Sequence, residues 1–246
     1  MPLPTYSESQ AVYQLTNGYW GGSRHFWTLD ASRTITYSLS PTISAAEKSL
    51  IEAALKVWSE VADIHFLQST SGQIYFNNNA AGAFTSSSYM GSSLISASVN
   101  VSTSRIASYG NSIGSYSFQT YIHEIGQALG LGHTGNYNSS AIFAIDALYA
   151  NDSWQTSVMS YFSQAENTYL TASYAYVLTP MAFDIAAIRA LYGAAIDAYG
   201  GNTTYGLGTT AGDSLDYLGT ANFNPAVAFT LVDASGSDLL DFTPRS

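Results

Sequence analysis

Residues 123–133, HEIGQALGLGH, place two imidazoles and a carboxylate at a spacing that suits a metal ion. Imidazole nitrogens are common zinc ligands, and a catalytic zinc site leaves one position for water. Residues four apart share a helix face, so His123 and position 127 point at one place, with Glu124 beside them to take a proton from a water. Gly130 can adopt the left-handed conformation that ends a helix, which lets His133 return to that place as a further ligand. The pattern predicts a zinc site with a general base.

A second group of oxygen donors lies later in the chain, where Asp233 and Asp238 flank a Ser-Gly-Ser turn. Spaced carboxylates together with turn carbonyls are typical of calcium sites. A plain acidic surface turn has the same composition, so both interpretations stay open at this point.

Helices must position the candidate zinc-site residues at 123–133. Apolar spacing predicts a helix from about Ser117 to Leu129 that carries the motif. A capping-box pattern at residues 44–47 predicts the start of a long amphipathic helix before it. Thr179 and Pro180 are expected to cap and open a last helix that ends at Gly193.

Strand patterns lie between these helices, at residues 64–67, 74–76 and 98–101. Residues 77–93 are rich in Ala, Gly and Ser, which suits a flexible rim or an exposed edge strand. Beyond Gly193, a Gly- and Thr-rich stretch and the apolar run 226–232 predict the start of a β module.

Composition excludes several classes of function. The 246 residues suffice for one sizeable domain with a small appendage. Acidic residues outnumber basic ones 17 to 7, for a net charge of −10, which argues against nucleic acid as a partner. The chain has no cysteine, which excludes disulfides and thiolate ligands, and no apolar run long enough to span a membrane.

The motif and its surroundings resemble the serralysin group of metzincin peptidases, whose pattern HExxHxxGxxH is followed by a methionine turn. Residues 123–133 carry most of that pattern, and SVMSY at 157–161 matches the methionine turn. HTGNYN at 133–138, DIAAIRALYG at 184–193 and VDASGSDLLDF at 232–242 extend the resemblance. A core helix that carries His and Glu by chance does not explain these features together.

The resemblance implies a role for each matching residue. A tyrosine in this position ligates zinc at rest and then stabilises the oxyanion when substrate binds. The product is a hydrolysed internal peptide bond, cleaved by a zinc-activated water. The implied residues are His123, His133 and Tyr161 as zinc ligands, Gln127 at the place of the second zinc histidine, Glu124 as general base, Tyr161 also as a catalytic group, Met159 as an apolar floor and Gly130 at the turn.

Gln127 departs from the family pattern. An amide oxygen is less basic than imidazole, and zinc prefers nitrogen or sulfur donors. Because changes outside the ligand shell already cost about 10- to 100-fold in affinity or activity, loss of a ligand should cost at least as much. Two functions therefore remain open: a zinc endopeptidase that Gln127 weakens or that tolerates it, and an inactive pseudoprotease that binds peptides.

The resemblance also implies a fold and a second metal. We expect an α/β metzincin fold over residues 1–193, with a twisted mixed sheet, long helices and an active-site helix. A partial calcium-binding β module is expected over residues 194–246. The calcium ligands that the resemblance implies are Gly201, Thr203, Asp233, Ser235 and Asp238.

Partners and location follow from the same resemblance. We expect an extended peptide or protein substrate to pair antiparallel with an edge strand near residues 82–89. A proteinaceous protease inhibitor is a further implied partner. We expect a bacterium to secrete the protein through a C-terminal signal, located after a β-roll that these residues do not include.

Overall fold

A computed structural model describes residues 2–212, 214–220 and 226–243 of the chain. Its main sheet has five strands in the order β2-β1-β3-β5-β4. Neighbours are parallel except for β4, which runs antiparallel to β5 and forms one edge. This is the predicted mixed α/β fold. The strands of this sheet are β1 (Thr34–Leu39), β2 (His65–Gln68), β3 (Ile74–Asn77), β4 (Ala83–Met90) and β5 (Ser93–Val101).

The helices form where capping residues precede apolar spacing. Ser44 and Glu47 make the predicted capping box of α2, and the side chain of Ser115 accepts a hydrogen bond from the Phe118 N–H at the start of α4. Trp58 of α2 donates its indole N–H to the carbonyl of Ile122 in α4 over 3.0 Å, which fixes the two helices together. The helices are α1 (Glu8–Tyr13), α2 (Ala45–Ser59), α3 (Thr103–Tyr109), α4 (Tyr116–Ala128), α5 (Phe143–Asp146) and α6 (Ala182–Tyr192), with a π-helical segment at Gln14–Gly18.

The predicted start of α6 is wrong, because the helix begins at Ala182 with Met181 at its N-cap, and Pro180 lies before it. Thr179 does not cap this helix, because its hydroxyl accepts the N–H of Thr230 instead, over 2.8 Å. Asp184 closes the first turn by accepting the N–H of Met181 over 2.8 Å. The helix then ends at Gly193, as predicted, where a φ of +86° favours glycine.

No pattern in the sequence connected the N-terminal segment with the motif at residues 123–133. In the fold, the carbonyl of Leu15 accepts the N–H of Gly132 over 2.7 Å. The indole of Trp20 donates to the carbonyl of Gly130 over 3.0 Å. The segment therefore supports the loop that carries His133.

The described residues after Gly193 pack onto the same core. Tyr205, Leu215 and Leu218 are buried in the main hydrophobic cluster. The division at residue 193 stays a prediction, and Asp213, residues 221–225 and residues 244–246 of the predicted β module lie outside the described ranges. Within those ranges, no helix is both long and apolar enough for a membrane span. The remaining elements are β6 (Tyr176–Val177), parallel to β8 (Val227–Ala228), β7 (Thr204–Gly206), parallel to β9 (Leu239–Asp241), and a 3-10 helix at Ser214–Gly219.

Candidate metal centre

Two imidazoles meet at the end of α4. The Nε2 atoms of His123 and His133 lie 3.3 Å apart. Each ring contacts a main-chain carbonyl through Nδ1: Val158 O at 2.9 Å for His123, and Tyr137 O at 2.8 Å for His133. Because a carbonyl only accepts, each Nδ1 carries the proton and each Nε2 presents a lone pair.

The charge state of both rings suits a metal. Burial lowers the pKa of His123 to about 4. Burial, followed by the charge of His123, lowers the pKa of His133 to about 3. Both rings are therefore neutral at pH 7. A tetrahedral ion with bonds of about 2.0–2.1 Å separates two ligand atoms by roughly 3.3–3.4 Å, so the pair fits zinc.

Gln127 lies on the same face of α4, one turn after His123. Its amide nitrogen is 3.1 Å from His123 Nε2 and 2.6 Å from His133 Nε2. An amide NH₂ has two donors, so one side chain serves both imidazole lone pairs. The site therefore contains two imidazoles that fit zinc. It also contains the Gln127 amide, whose nitrogen faces the same place but has no lone pair for a metal.

Glu124 lies beside this pair and is almost fully buried. Its Oε2 accepts the hydroxyl of Thr85 from β4 over 2.8 Å. Burial raises the pKa of Glu124 to about 7, with the Thr85 hydrogen bond acting in the opposite direction. A carboxyl group with this pKa can both accept and return a proton near neutrality.

Tyr161 and Met159 surround the pair from the methionine turn. The Tyr161 ring centroid lies 4.5 Å from that of His133 and 6.0 Å from that of His123. Met159 is fully buried, and its sulfur would lie 2.7 Å from a Cβ added to Gly126. Met159 therefore packs directly against the motif helix, and its role as an apolar floor beneath a metal stays a prediction.

Gly130 ends the motif helix with a φ of +99°, as predicted. A Cβ at this position would lie 2.0 Å from the carbonyl oxygen of His25. Both the conformation and the close approach of another segment require glycine, and the turn brings His133 back to His123.

Two buried carboxylates, which sequence reasoning missed, hold the surroundings. Asp152 accepts the hydroxyls of Thr134 at 2.6 Å and Ser160 at 2.7 Å, which ties the His133 segment to the methionine turn. Asp184 accepts the N–H of Val158 at 2.7 Å. The motif match at residues 184–193 contained Asp184, but nothing in its spacing identified its partner.

Two cavities lie beside edge strand β4 near the imidazole pair. One has a volume of about 540 Å³ and is lined by residues 83–87 and Tyr89 of β4, together with Gln127. The other, of about 360 Å³, contains Ala83 from the start of β4, and His123. Glu124 and Tyr161 line both cavities. The exposed edge strand predicted near residues 82–89 is thus present and forms one wall of a cleft.

The candidate calcium residues also come together. Gly201 donates its N–H to the carbonyl of Ser235 over 3.1 Å, and Thr203 donates its N–H to Asp238 over 2.9 Å. Asp233 accepts the N–H of Ser235 over 3.1 Å. In the described part of the chain, no group of three or more His, Cys, Asp or Glu is arranged to hold a metal. A calcium ion here would depend on two carboxylates with hydroxyl and carbonyl oxygens.

Comparison with known families agrees with this geometry. A model of the astacin family of peptidases matches residues 22–177, which include the motif helix, the returning histidine and the methionine turn. The chain belongs to the astacin peptidase family. Family membership supports zinc as the metal that the imidazole pair would hold.

Curated relatives of this astacin-family chain carry metallopeptidase and serralysin names. Metallopeptidase AprA of Pseudomonas marginalis is 31% identical, over 98% of this chain and 56% of that protein. Serralysin C of Dickeya chrysanthemi is 32% identical, over 98% of this chain and 55% of that protein. The chain is therefore a serralysin-like metzincin, and it spans about half the length of these relatives.

Similar solved structures include two at low identity. High choriolytic enzyme 1, a hatching enzyme zinc-protease from Oryzias latipes, is 18% identical with a TM-score of 0.42, over 68% of this chain and 94% of that chain. Myroilysin is 22% identical with a TM-score of 0.41, over 65% of this chain and 92% of that chain. The fold assignment depends on the elements described above and on the family model, because TM-scores of this size are too low to support it.

Proposed function

We propose that this chain is a secreted zinc metalloendopeptidase that cleaves internal peptide bonds of proteins and that Gln127 weakens. One observation carries the proposal: two imidazole lone pairs converge at 3.3 Å, next to the buried Glu124, in a cleft walled by an exposed edge strand. Such a constellation suits hydrolysis of an extended chain more than binding of a small ligand.

Each residue of the site has a separate role in the proposed hydrolysis. His123 and His133 would hold a zinc ion, which would supply Lewis-acid activation of the scissile carbonyl and of a water. Glu124 accepts the proton of that water and later delivers it to the leaving amine, which a pKa of about 7 allows. Tyr161 lies beside His133 and is the donor that we assign to the developing oxyanion.

The direction of the substrate follows from β4. An extended peptide that pairs antiparallel with this edge strand has its N-terminal part near Tyr89 and its C-terminal part near Ala83. The larger cavity then takes residues before the cleaved bond, and the smaller cavity takes residues after it. A proteinaceous inhibitor would occupy the same groove.

A pseudoprotease is the second candidate, and the Gln127 contacts favour it. The amide NH₂ donates to the Nε2 atoms of both imidazoles, and main-chain carbonyls accept from both Nδ1 atoms, so each ring nitrogen of the pair has a partner without a metal. In that function the cleft binds a peptide without cleaving it.

Restoring imidazole distinguishes the two functions. We expect Gln127→His to raise zinc affinity and the rate of casein cleavage by at least about 10-fold, because a missing nitrogen ligand returns. Zinc content and cleavage are measured on the same samples. The double variant Gln127→His with Glu124→Gln should bind zinc equally but lose turnover, because only the proton acceptor has changed.

Two results would contradict the proposal in different ways. A parent protein that carries one equivalent of zinc and cleaves as fast as Gln127→His shows that glutamine does not weaken the enzyme. A Gln127→His variant that binds zinc fully but cleaves none of several proteins supports the pseudoprotease.

We further propose that the Asp233 and Asp238 segment binds calcium. The N–H groups of Thr203 and Ser235 contact Asp238 and Asp233, and Gly201 contacts the carbonyl of Ser235, a proximity that supports the proposal. Calcium at this place would join the segment before β7 to the turn before β9.

A further inference from the structure

An aromatic row of Tyr19, Trp20, His25 and Tyr89 lines part of the larger cavity of the cleft. The proposed hydrolysis does not use these four rings. Among the described residues that line this cavity, Glu124 is the only Asp, Glu, Lys or Arg, and the proposed hydrolysis already uses it. Ring contacts therefore determine what else this cavity of about 540 Å³ can bind.

The four rings contact one another in sequence. The centroids of Tyr19 and Trp20 lie 4.9 Å apart with their planes at 87°, and those of Trp20 and His25 lie 5.4 Å apart at 88°. The Tyr89 centroid lies 4.0 Å from that of His25, with an interplanar angle of 33°. The two edge-to-face pairs have distances that favour aromatic packing. The rings thus form one continuous surface.

Main-chain contacts hold this surface together. Phe26 donates its N–H to the carbonyl of Ser92 over 3.0 Å and accepts the N–H of Leu94 over 2.9 Å. His25, the residue before Phe26, is thereby attached to the hairpin that carries Tyr89. Because these segments are joined in the protein alone, ordering them around a ligand should cost little conformational entropy.

His25 contributes a ring to this surface more than a polar group. It is 5% exposed, and its Nδ1 is buried without a hydrogen-bond partner. In contrast, Nδ1 of His123 and Nδ1 of His133 each contact a main-chain carbonyl. The imidazole of His25 is held by the rings of Trp20 and Tyr89, so it acts as part of an aromatic surface.

Tyr89 leaves much of its side chain open to a ligand. It is 53% exposed, although it lines the cavity and packs against His25. A ligand ring that covers Tyr89 would remove this apolar area from water.

The aromatic row lies on the N-terminal side of a bound substrate. Tyr89 is near the end of β4, and a peptide antiparallel to this strand has its N-terminal part there. At its other end the row reaches the metal centre, since the Tyr19 ring centroid lies 4.9 Å from that of His133, edge to face. A side chain that contacts the row therefore precedes the bond that the metal centre would cleave.

We propose that the aromatic row binds an aromatic side chain of the substrate, on the N-terminal side of the cleaved bond. A planar ring adds edge-to-face contacts to the apolar area that it buries, whereas a saturated side chain of the same size adds the area alone. A Lys or Arg side chain is also attracted to rings, but its charge would be desolvated in a cavity whose one carboxylate has another role. This inference rests on the proposed function for the position of the cleaved bond.

Binding of blocked peptides tests the inference without cleavage. The probes are N-acetylated, C-amidated alanine-rich hexapeptides with a single Phe, cyclohexylalanine or Lys at each interior position in turn. Cyclohexylalanine is similar to Phe in size and at least as apolar, so burial of area alone does not favour Phe. We expect the best Phe peptide to bind the wild-type chain about 3- to 10-fold more tightly than its cyclohexylalanine partner, as for an aromatic pair, and more tightly than any Lys peptide. Calorimetry measures the affinities.

Variants connect the preference to the rings. Tyr89→Leu should remove most of the preference for Phe, because it replaces the exposed ring of the row by a saturated side chain. His25→Phe should keep the preference and His25→Leu should reduce it, because only the first restores a ring. Tyr75→Leu removes a partly exposed ring of β3 outside both cavities and should keep the full preference.

Three results would overturn the inference. Wild type could bind the Phe and cyclohexylalanine peptides equally, or bind a Lys peptide more tightly than every Phe peptide. The preference for Phe could also survive in Tyr89→Leu, a variant expected to fold because Tyr89 is 53% exposed.

Cleavage mapping separates this inference from the proposed function. Protein digests analysed by mass spectrometry should show Phe, Tyr and Trp enriched at a position before the cleaved bond, and Tyr89→Leu should remove the enrichment. If nothing is cleaved but the Phe preference in binding depends on Tyr89, the endopeptidase is wrong and the aromatic site stands. Cleavage without any aromatic preference in digests or binding leaves the endopeptidase standing and contradicts the site.

Discussion

Buried carboxylates behind the candidate metal centre stabilise the orientation of its imidazoles. Asp184 accepts the N–H of Val158 at 2.7 Å, and the carbonyl of Val158 is the partner of His123 Nδ1 at 2.9 Å. Asp184 also accepts the hydroxyl of Ser157 at 2.5 Å and is fully buried. One side chain therefore fixes the orientation of the His123 imidazole, which it does not touch, and such indirect support is common in metal sites.

We expect Asp184→Asn to weaken both the fold and the metal site. The amide replaces one acceptor by a donor that faces main-chain N–H groups, so the free energy of unfolding should fall by about 1–3 kcal/mol. Zinc affinity should fall by about 10-fold because His123 loses its orientation. Urea unfolding and a zinc titration measure the two effects. Asp30→Asn, on the exposed surface, is the control. An Asp184→Asn variant with unchanged stability and unchanged zinc affinity would show that the contact is dispensable.

Much of the site was predictable from sequence because its residues lie close together along the chain. His123 and Glu124 belong to one helix, whose periodicity places them, and the turn at Gly130 accounts for the return of His133. Asp184 could not be assigned this way. Its partners Ser157 and Val158 lie in the methionine turn, and no local spacing encodes those contacts.

At the scale of elements, the end of α4 sets the geometry of the centre. Gly130 has a φ of +99°, and a Cβ there would lie 2.0 Å from the carbonyl oxygen of His25. Gly91, in the turn between β4 and β5, has a φ of +60° with nothing within 4 Å of an added Cβ. A substitution at Gly91 therefore measures the free-energy cost of the left-handed conformation alone, whereas one at Gly130 adds the cost of a steric clash.

We expect Gly130→Ala to destabilise the protein more than Gly91→Ala. The second substitution should cost about 1–2 kcal/mol for the left-handed conformation alone. The first adds a clash with main chain that must displace either the segment containing His25 or the loop to His133, so it should also reduce zinc binding. Thermal unfolding and zinc content check this. Equal losses in the two variants would mean that the loop relaxes without moving His133.

Among the elements, those with capping residues and long apolar spacing were predicted well. The capping box of Ser44 and Glu47 and the apolar face behind it identify α2, and α4 begins within one residue of the predicted start. Strand β1, at Thr34–Leu39, was not predicted although it lies between β2 and β3. Its sequence TITYSL is short and mixed, and its place in the sheet depends on pairing with strands distant in sequence.

At the scale of the whole molecule, the chain after α6 returns to the main core. Tyr205 is buried in the core cluster and donates its hydroxyl to Asp233 over 2.7 Å. The candidate calcium ligands are therefore coupled to the core by one tyrosine. Ordering of that segment should be transmitted to the stability of the entire fold.

We expect calcium to raise the melting temperature, because an ion that binds only the folded state stabilises it by mass action. Differential scanning calorimetry with calcium, and with a calcium-selective chelator that spares zinc, measures the shift. Asp233→Ala should abolish the effect, whereas Asp30→Ala should retain it. An unchanged melting temperature on adding calcium to the parent protein would exclude the site.

The two hydrogen bonds of Gln127 affect how this site can change in evolution. Histidine and glutamine codons differ only in their third base, so a single nucleotide separates this centre from one with a complete set of imidazoles. Because the amide already holds His123 and His133 at 3.3 Å from each other, the exchange requires no second substitution to rebuild the site. Under the proposed function, a lineage that carries this glutamine can therefore regain full hydrolytic activity by one point mutation, and can lose it again as easily, while the fold stays the same.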